Sequence, residues 1–245
     1  MNKPIIDYLL HLADNSLILG QRNAEWCGHG PILEQDIAIT NISLDLIGQS
    51  RSFYQYAAQL KNDNTTEDSL AFFRTEREFK NFLLLEQPNG DWAQTILKQF
   101  FFSSFQFLLF QQLQKNSDET LAAIAEKSLK EISYHLRWSS EWVERLGDGT
   151  EESRNRILNA VNNLWRFTGE LFIPAAYETE LGIELNSIKE NWQEKINEIF
   201  KNATLPILSN VFFQTGGKTG NHTEQLGFIL TELQYMQRTF PGCEW

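Results

Sequence analysis

Apolar residues recur at intervals of three and four along most of the chain, and the alternating pattern of a half-buried strand is nearly absent. Such intervals place side chains on one face of an α-helix. The periodic stretches are long and the polar breaks between them are short, which is typical of an up-and-down helical bundle. The sequence therefore predicts an all-α fold with extra helices packed around a bundle.

Seven helices are predicted from these periods together with cap and breaker residues. Their predicted spans are 33–56, 67–86, 92–115, 118–146, 151–172, 187–202 and 221–240. The first span is so apolar that we expect a buried central helix. Because no linker-like stretch separates two cores, we predict a single domain over residues 1–245.

Charge and cysteine content exclude several classes of protein. The formal net charge is −11, and no run of Lys or Arg marks a nucleic-acid surface. The most apolar run, 100–110, is too short to cross a bilayer. The first residues show no apolar signal-peptide core, and Cys27 and Cys243 lie far apart. We therefore expect a cytoplasmic protein that binds neither nucleic acid nor a membrane.

A di-iron bundle requires Glu-x-x-His pairs, because residues three apart share a helix face and both reach one metal. The chain has four histidines, at positions 11, 29, 135 and 222. The residues three positions earlier are Tyr8, Trp26, Ile132 and Thr219, so no such pair exists. The sequence therefore lacks the usual di-iron ligand pattern.

Four residues nevertheless stand where a bundle would keep a metal site, namely Asp45, Glu76, Glu131 and His135. One hypothesis is an atypical metal centre. The other, which we favour, is a polar layer left at a former metal site, with its carboxylates neutralised by nearby Lys or Arg. We accordingly assign no catalytic residue and no metal ligand.

Three other features have a structural and a chemical interpretation. Gly216-Gly217-Lys218-Thr219 resembles the end of a phosphate-binding loop, but Phe212 replaces the leading glycine and no strand precedes it. Cys27-Gly28-His29 brings a thiol near an imidazole, although a turn explains the spacing equally well. The pair Trp138 and Trp142 and the Phe-rich run 100–110 suit an aromatic pocket, or packing in the core or against another subunit. In each case the structural interpretation is favoured.

Eight segments spread along the chain carry a recognisable pattern: Leu19–Arg22, Glu25–Pro31, Asn41–Gln49, Glu86–Gly90, Glu144–Thr150, Leu164–Thr168, Thr215–Glu224 and Gln234–Arg238. Together they resemble the phenylacetic acid catabolic family, specifically its C-type subunits. The resemblance spans nearly the whole chain in the right order.

This resemblance implies a ferritin-like fold within a multicomponent monooxygenase that epoxidises the aromatic ring of phenylacetyl-CoA. It implies that an A-type subunit binds the substrate and holds the di-iron centre. It also implies that the C-type chain pairs with and stabilises the A-type subunit without cofactor or catalysis of its own. Other subunits would supply electrons from NADPH through FAD and iron–sulfur groups. The alternatives left open are an autonomous di-metal oxidase with atypical ligands and a nucleotide- or CoA-binding module around Lys218.

Overall fold

A computed structural model describes residues 3–208 and 212–243, and within these ranges the chain is helical and contains no strand. The predicted all-α fold is confirmed, and it is consistent with a ferritin-like bundle. The α-helices are α1 Lys3–Ala24, α2 Leu33–Lys61, α3 Glu67–Phe72, α4 Leu83–Glu86, α5 Trp92–Leu113, α6 Glu119–Gly147, α7 Glu151–Leu164, α8 Ala176–Glu180, α9 Leu185–Asn202, α10 Glu224–Leu233 and α11 Tyr235–Thr239. Short 3₁₀ helices span Glu76–Glu78, Trp165–Phe167, Gly169–Phe172 and Gly217–Thr219.

The helices group into two compact units, each with its own core. Unit 1 comprises Met1–Pro88, Pro174–Ile183 and Thr215–Trp245, and unit 2 comprises Asn89–Ile173 and Glu184–Gln214. That the chain forms one domain stays a prediction.

In unit 1, α1 and α2 form an antiparallel pair. The Ser43 hydroxyl donates to the carbonyl of Gly20 at 2.7 Å, and farther along the Tyr54 hydroxyl donates to Asp14 at 2.5 Å. Gly20 permits the close approach, since a Cβ there would lie 3.2 Å from Ile47 Cγ1.

In unit 2, α5 pairs with α6 around a core of aromatic side chains. Trp92 at the start of α5 packs edge-on against Trp138 and Trp142 of α6, with ring centroids 5.9 and 5.7 Å apart. The indole of Trp192 on α9 donates to the carbonyl of Phe101 at 3.0 Å. Trp138 and most of the run 100–110 are buried, as the interpretation as core predicts, whereas Trp142 is only half-buried.

The prediction of one helix over 67–86 was wrong. The chain leaves the helix after Phe72 and returns to it only at Leu83. Between these points two backbone N–H groups bond to side chains of α1: Lys80 donates to Asp14 at 2.7 Å, and Phe82 donates to the Asn15 amide oxygen at 2.8 Å. Hydrogen bonds to α1 replace the hydrogen bonds that a continuous helix would form within itself. No local sequence pattern reveals this replacement.

The expectation that the first predicted helix is buried on all sides was also wrong. One face of α2 packs on α1, whereas Leu33, Ile37 and Leu44 on the opposite face are exposed. The apolar character of these side chains does not by itself show which face of α2 the rest of the protein covers.

Helix starts were predicted with mixed success. Asp91 caps α5 and Thr150 caps α7. The starts predicted at residues 187 and 221 were wrong, because α9 begins at Leu185 after Glu184 and α10 begins at Glu224 after its cap Thr223. The helix predicted to end near Phe172 ends at Leu164 and continues as 3₁₀ turns.

Across the described ranges, each helix is too short or too polar to cross a membrane.

Candidate functional site

The α1 helix carries a buried carboxylate, Asp14, among other buried polar and apolar residues. Both of its oxygens accept from the Arg74 guanidinium, one of them at 3.1 Å. The Tyr54 hydroxyl and the Lys80 N–H also donate to it. Burial disfavours the charge of Arg74, but the adjacent Asp14 outweighs this and raises the guanidinium pKa. The two charges therefore neutralise each other inside unit 1.

A second buried carboxylate, Glu86, ends α4 and is paired with His222. His222 Nδ1 lies 3.0 Å from Glu86 Oε2, and Nε2 lies 2.9 Å from the carbonyl of Phe79. A carbonyl and a carboxylate only accept, so both ring nitrogens donate and the ring is an imidazolium. Burial opposes this charge, yet the hydrogen bond and charge of Glu86 raise the His222 pKa above its usual value. The Thr223 N–H completes the site by donating to Glu86 Oε1 at 2.7 Å.

A third buried carboxylate, Glu178 on α8, is paired with Lys218. The Lys218 ammonium lies 3.0 and 2.8 Å from the two carboxylate oxygens. The neighbouring His11 donates from Nδ1 to the carbonyl of Lys80 at 2.7 Å, which leaves Nε2 as an acceptor. Burial, and then the charge of Lys218, lowers the His11 pKa to about 3. This histidine is therefore neutral at physiological pH.

These three pairs join stretches of unit 1 that lie far apart in sequence. They connect α1 to residues 74–86, and they connect those residues to α8 and to residues 216–223. Each pair brings an acid together with a base of opposite charge. A set of buried charges satisfied in this way holds segments in register.

The four residues singled out in the sequence lie elsewhere. Asp45 is half-buried on α2 and Glu76 is exposed on a 3₁₀ turn, both in unit 1. Glu131 is half-buried and His135 is fully buried on α6 in unit 2. The three buried pairs of unit 1 are built from other residues. That the four form the remnant of a metal site stays a prediction.

No group of three or more His, Cys, Asp or Glu side chains within residues 3–208 and 212–243 is arranged to hold a metal ion.

The glycine-rich segment around Lys218 has a packing explanation. A Cβ on Gly217 would clash with the carbonyl of Asn81. Gly220 has φ +82° and lies against the carbonyl of Arg77, so a side chain there would be both strained and crowded. The glycines let this segment lie against residues 77–83, while the lysine bonds to Glu178. The resemblance to a phosphate-binding loop therefore has a structural cause.

Cys27 and His29 lie on an exposed turn between α1 and α2. His29 Nδ1 lies 3.2 Å from the carbonyl oxygen of Cys27, so this contact involves the backbone of Cys27 and not its thiol. Gly28 between them has φ +82°. The interpretation of this motif as a turn is confirmed.

The sequence reasoning missed Asp14, Glu86 and Glu178. For Asp14 a signal existed, since it is the one acidic residue in the largely apolar stretch from Tyr8 to Leu19. Glu86 and His222 each fall within a segment that carries the family resemblance, but nothing in the sequence connects them across 136 positions. Glu178 lies in a short helix with no distinguishing pattern.

The fold and these buried pairs define a helical protein whose signature segments form its internal polar network. The family model described as phenylacetic acid catabolic protein matches residues 1–245, and the chain belongs to this family. Over 243 residues it is 46% identical to the C subunit of 1,2-phenylacetyl-CoA epoxidase from Escherichia coli (strain K12). That match covers 97% of this chain and 98% of the relative. The resemblance inferred from the sequence motifs is confirmed.

The raised pKa of His222 predicts a pH-dependent stability. The contribution of the Glu86–His222 pair to the free energy of unfolding is fully present below the unfolded-state pKa of histidine, about 6.5. It is lost as the pH rises through the raised pKa of His222 in the folded protein. Each unit by which the pKa is raised corresponds to about 1.4 kcal/mol. Urea unfolding from pH 6.5 to 9 should therefore show a decline in the wild type that His222→Gln lacks.

This pH window avoids His11, whose depressed pKa affects stability only below about 6.5. The exposed His29 provides a matched control, and His29→Gln should retain the wild-type decline. Equal pH profiles for the wild type and His222→Gln would contradict the assignment of the imidazolium.

Proposed function

We propose that this chain is the C-type subunit of a phenylacetyl-CoA epoxidase acting in aerobic phenylacetate degradation. Its role there is structural: it pairs with and stabilises the di-iron A-type subunit and does not oxidise substrate itself. The observation that carries the proposal is the 46% identity to the C subunit of an epoxidase across nearly the full length of both chains. This degree of coverage supports a shared place in a shared assembly.

The non-catalytic role rests on how unit 1 uses its buried acids. Asp14, Glu86 and Glu178 are each paired with a cationic side chain. When Arg, Lys or an imidazolium is paired with a carboxylate, its positive charge compensates the negative charge that would attract a metal ion. The sequence also lacks a Glu-x-x-His pair. Under this proposal the di-iron centre belongs to the A-type subunit, and NADPH, FAD and iron–sulfur groups belong to the reductase component.

We also place the protein in the cytoplasm. Cys27 and Cys243 are free and exposed, which fits a reducing compartment.

Co-expression with the A-type subunit of the same organism tests the structural role. We expect a tag on this chain to retain the A-type subunit, and we expect ring epoxidation of phenylacetyl-CoA to fall to background when this chain is left out. The yield of soluble A-type subunit should fall as well. Full epoxidation by the remaining subunits without this chain would refute the proposal.

Metal content distinguishes this proposal from an autonomous di-metal oxidase. After anaerobic incubation with Fe(II) and desalting, the purified chain should retain far less than one iron per molecule. The A-type subunit treated in parallel serves as the positive control. Near two iron atoms per molecule of the isolated chain, together with oxidase activity, would favour the alternative.

A further inference from the structure

A groove of about 670 Å³ lies in unit 1 between α3 and α11. This volume falls within the range of ligand-binding pockets. The described side chains that line it include one carboxylate, one amide, three aromatic rings and one thiol, namely Asp68, Gln237, Phe72, Phe73, Phe240 and Cys243. We call it the α3–α11 groove.

The α3–α11 groove contains two acceptors that no described residue satisfies. The Gln237 amide oxygen is buried and accepts no hydrogen bond from residues 3–208 or 212–243. The Asp68 carboxylate is exposed and forms no hydrogen bond or ion pair with the described part of the chain. A buried acceptor without a donor lowers stability, so a ligand that donates to Gln237 gains a favourable contact. The two acceptors together favour a ligand with several donors.

The charge around the groove is negative. Among the described residues, Asp68 is the one charged side chain that lines it. The neighbouring Glu67 lies 3.5 Å from Arg51, so this acid has a cation of its own. Arg238 follows Gln237 in sequence, but its guanidinium donates to two backbone carbonyls at 3.1 and 3.0 Å, and the residue lines a different groove. With a net charge of −11 for the whole chain, the groove therefore favours a cation over an anion.

Three phenylalanine rings complete the lining. Phe72 is half-buried, and Phe73 and Phe240 are 50 and 47% exposed. Aromatic rings attract organic cations through the negative charge of their faces. A guanidinium suits such a site, because its flat and weakly hydrated plane stacks on a ring while its N–H groups donate within that plane. An ammonium is more strongly hydrated and has fewer donors.

We propose that the α3–α11 groove is a binding site for a guanidinium group. The group donates to the Asp68 carboxylate and to the Gln237 amide oxygen, and its plane stacks on the phenylalanine rings. An arginine side chain of another subunit and a free alkylguanidine offer this same chemistry. The site is a property of the isolated chain, so the inference does not depend on the proposed function.

Two cysteines allow the site to be tested in the isolated full chain. Both are free and exposed, but Cys243 lines the groove, whereas Cys27 lies on the turn after α1. N-acetylarginine amide should slow the alkylation of Cys243 by iodoacetamide and leave that of Cys27 unchanged, as measured by mass spectrometry of the two peptides. Half-maximal protection is expected on the order of 1 mM, the affinity of a small ligand with few contacts. N-acetylcitrulline amide, which has the same shape without the charge, should give no protection.

Two variants should change this protection in opposite directions. Asp68→Asn keeps the shape and removes the charge, so binding should weaken on the order of tenfold. Gln237→Glu adds a second negative charge and should strengthen binding. Glu232→Gln removes a charge from an exposed residue of α10 outside the groove and should leave binding unchanged. A residue with a role only in folding would not produce these opposite effects, and the helical content of each variant should match the wild type.

A second experiment identifies the source of the guanidinium, with the chain tagged and co-expressed with the other epoxidase subunits. Lower retention of one subunit by Asp68→Asn than by Glu232→Gln assigns the guanidinium to an arginine of that subunit. Equal retention by the two variants assigns it to a free alkylguanidine. Failure of the wild-type chain to retain any subunit contradicts the proposed function and leaves the Cys243 measurement unaffected.

Three results of the alkylation experiment overturn the proposal. In the first, N-acetylarginine amide leaves Cys243 unprotected. In the second, N-acetylcitrulline amide protects Cys243 equally well, so the charge plays no part. In the third, Asp68→Asn weakens binding no more than Glu232→Gln does, which places the ligand away from the Asp68 carboxylate.

Discussion

Replacing Lys218 with methionine should lower the free energy of unfolding by about 3–5 kcal/mol, because it leaves the Glu178 carboxylate buried without its cation. The loss should appear as an earlier midpoint in urea unfolding followed by circular dichroism. Two-state behaviour is to be checked with tryptophan fluorescence, since the chain has two compact units.

A surface ion pair of the same length provides the control for this prediction. Lys195 Nζ lies 2.8 Å from Glu198 Oε2, the same distance as in the buried pair, but these side chains are 39 and 59% exposed. Lys195→Met should therefore cost less than about 1 kcal/mol. In the double variant Lys218→Met/Glu178→Gln both charges are gone and an acceptor remains for the Ala175 N–H, so most of the stability should return.

If Lys218→Met and Lys195→Met lower the free energy of unfolding by the same amount, burial does not determine the strength of the Lys218–Glu178 pair. If the double variant is as unstable as the single one, the loss comes from packing and not from an uncompensated charge.

Replacing Asp14 with alanine should lower the free energy of unfolding by a comparable or larger amount, about 3–5 kcal/mol. The change removes the acceptor of two guanidinium bonds, one hydroxyl bond and one backbone bond, and it leaves Arg74 charged inside unit 1. Loss of the Lys80 N–H bond also weakens the attachment of residues 73–82 to α1, where the bonds of His11 and Asn15 remain. Hydrogen exchange should therefore report faster opening of that segment, in addition to an earlier urea midpoint.

Tyr54→Phe is the matched control for the Asp14 cluster. It removes one hydroxyl and keeps both charges and the ring, so the expected loss is about 1–2 kcal/mol. A loss for Asp14→Ala no greater than that for Tyr54→Phe would show that the ion pair contributes little. Arg74→Met combined with Asp14→Ala should recover part of the stability, since no unpaired charge remains.

These buried pairs explain why the segment Thr215–Glu224 resembles a phosphate-binding loop in its residue types. The glycines and lysine at 216–220 suit a phosphate-binding loop by residue type, yet the lysine holds α8 and the glycines permit contact with residues 77–83. His222 lies in the same segment and holds Glu86. Under the proposed function these segments maintain the shape of a subunit whose contribution to catalysis is the surface it presents.

The sequence by itself determined most of the helices and several of their ends. The period of three to four residues and caps such as Asp91 and Thr150 are local signals, because a helix closes its hydrogen bonds within four residues. The order of the motifs along the chain was sufficient to indicate the family. The absence of Glu-x-x-His could likewise be read directly, since both residues of that pair lie on one helix turn.

Only the tertiary structure decided which polar residues meet and which apolar face stays open. Asp14 and Arg74 are 60 positions apart, and Glu86 and His222 are 136 positions apart, so their pairing depends on how distant segments pack. The break between Phe72 and Leu83 has the same cause, because its backbone bonds go to α1. The two apolar faces of α2 resemble each other in sequence, and only the position of α1 shows which of them is covered. Helical periodicity acts over a few residues, whereas burial and charge pairing depend on every segment packed nearby.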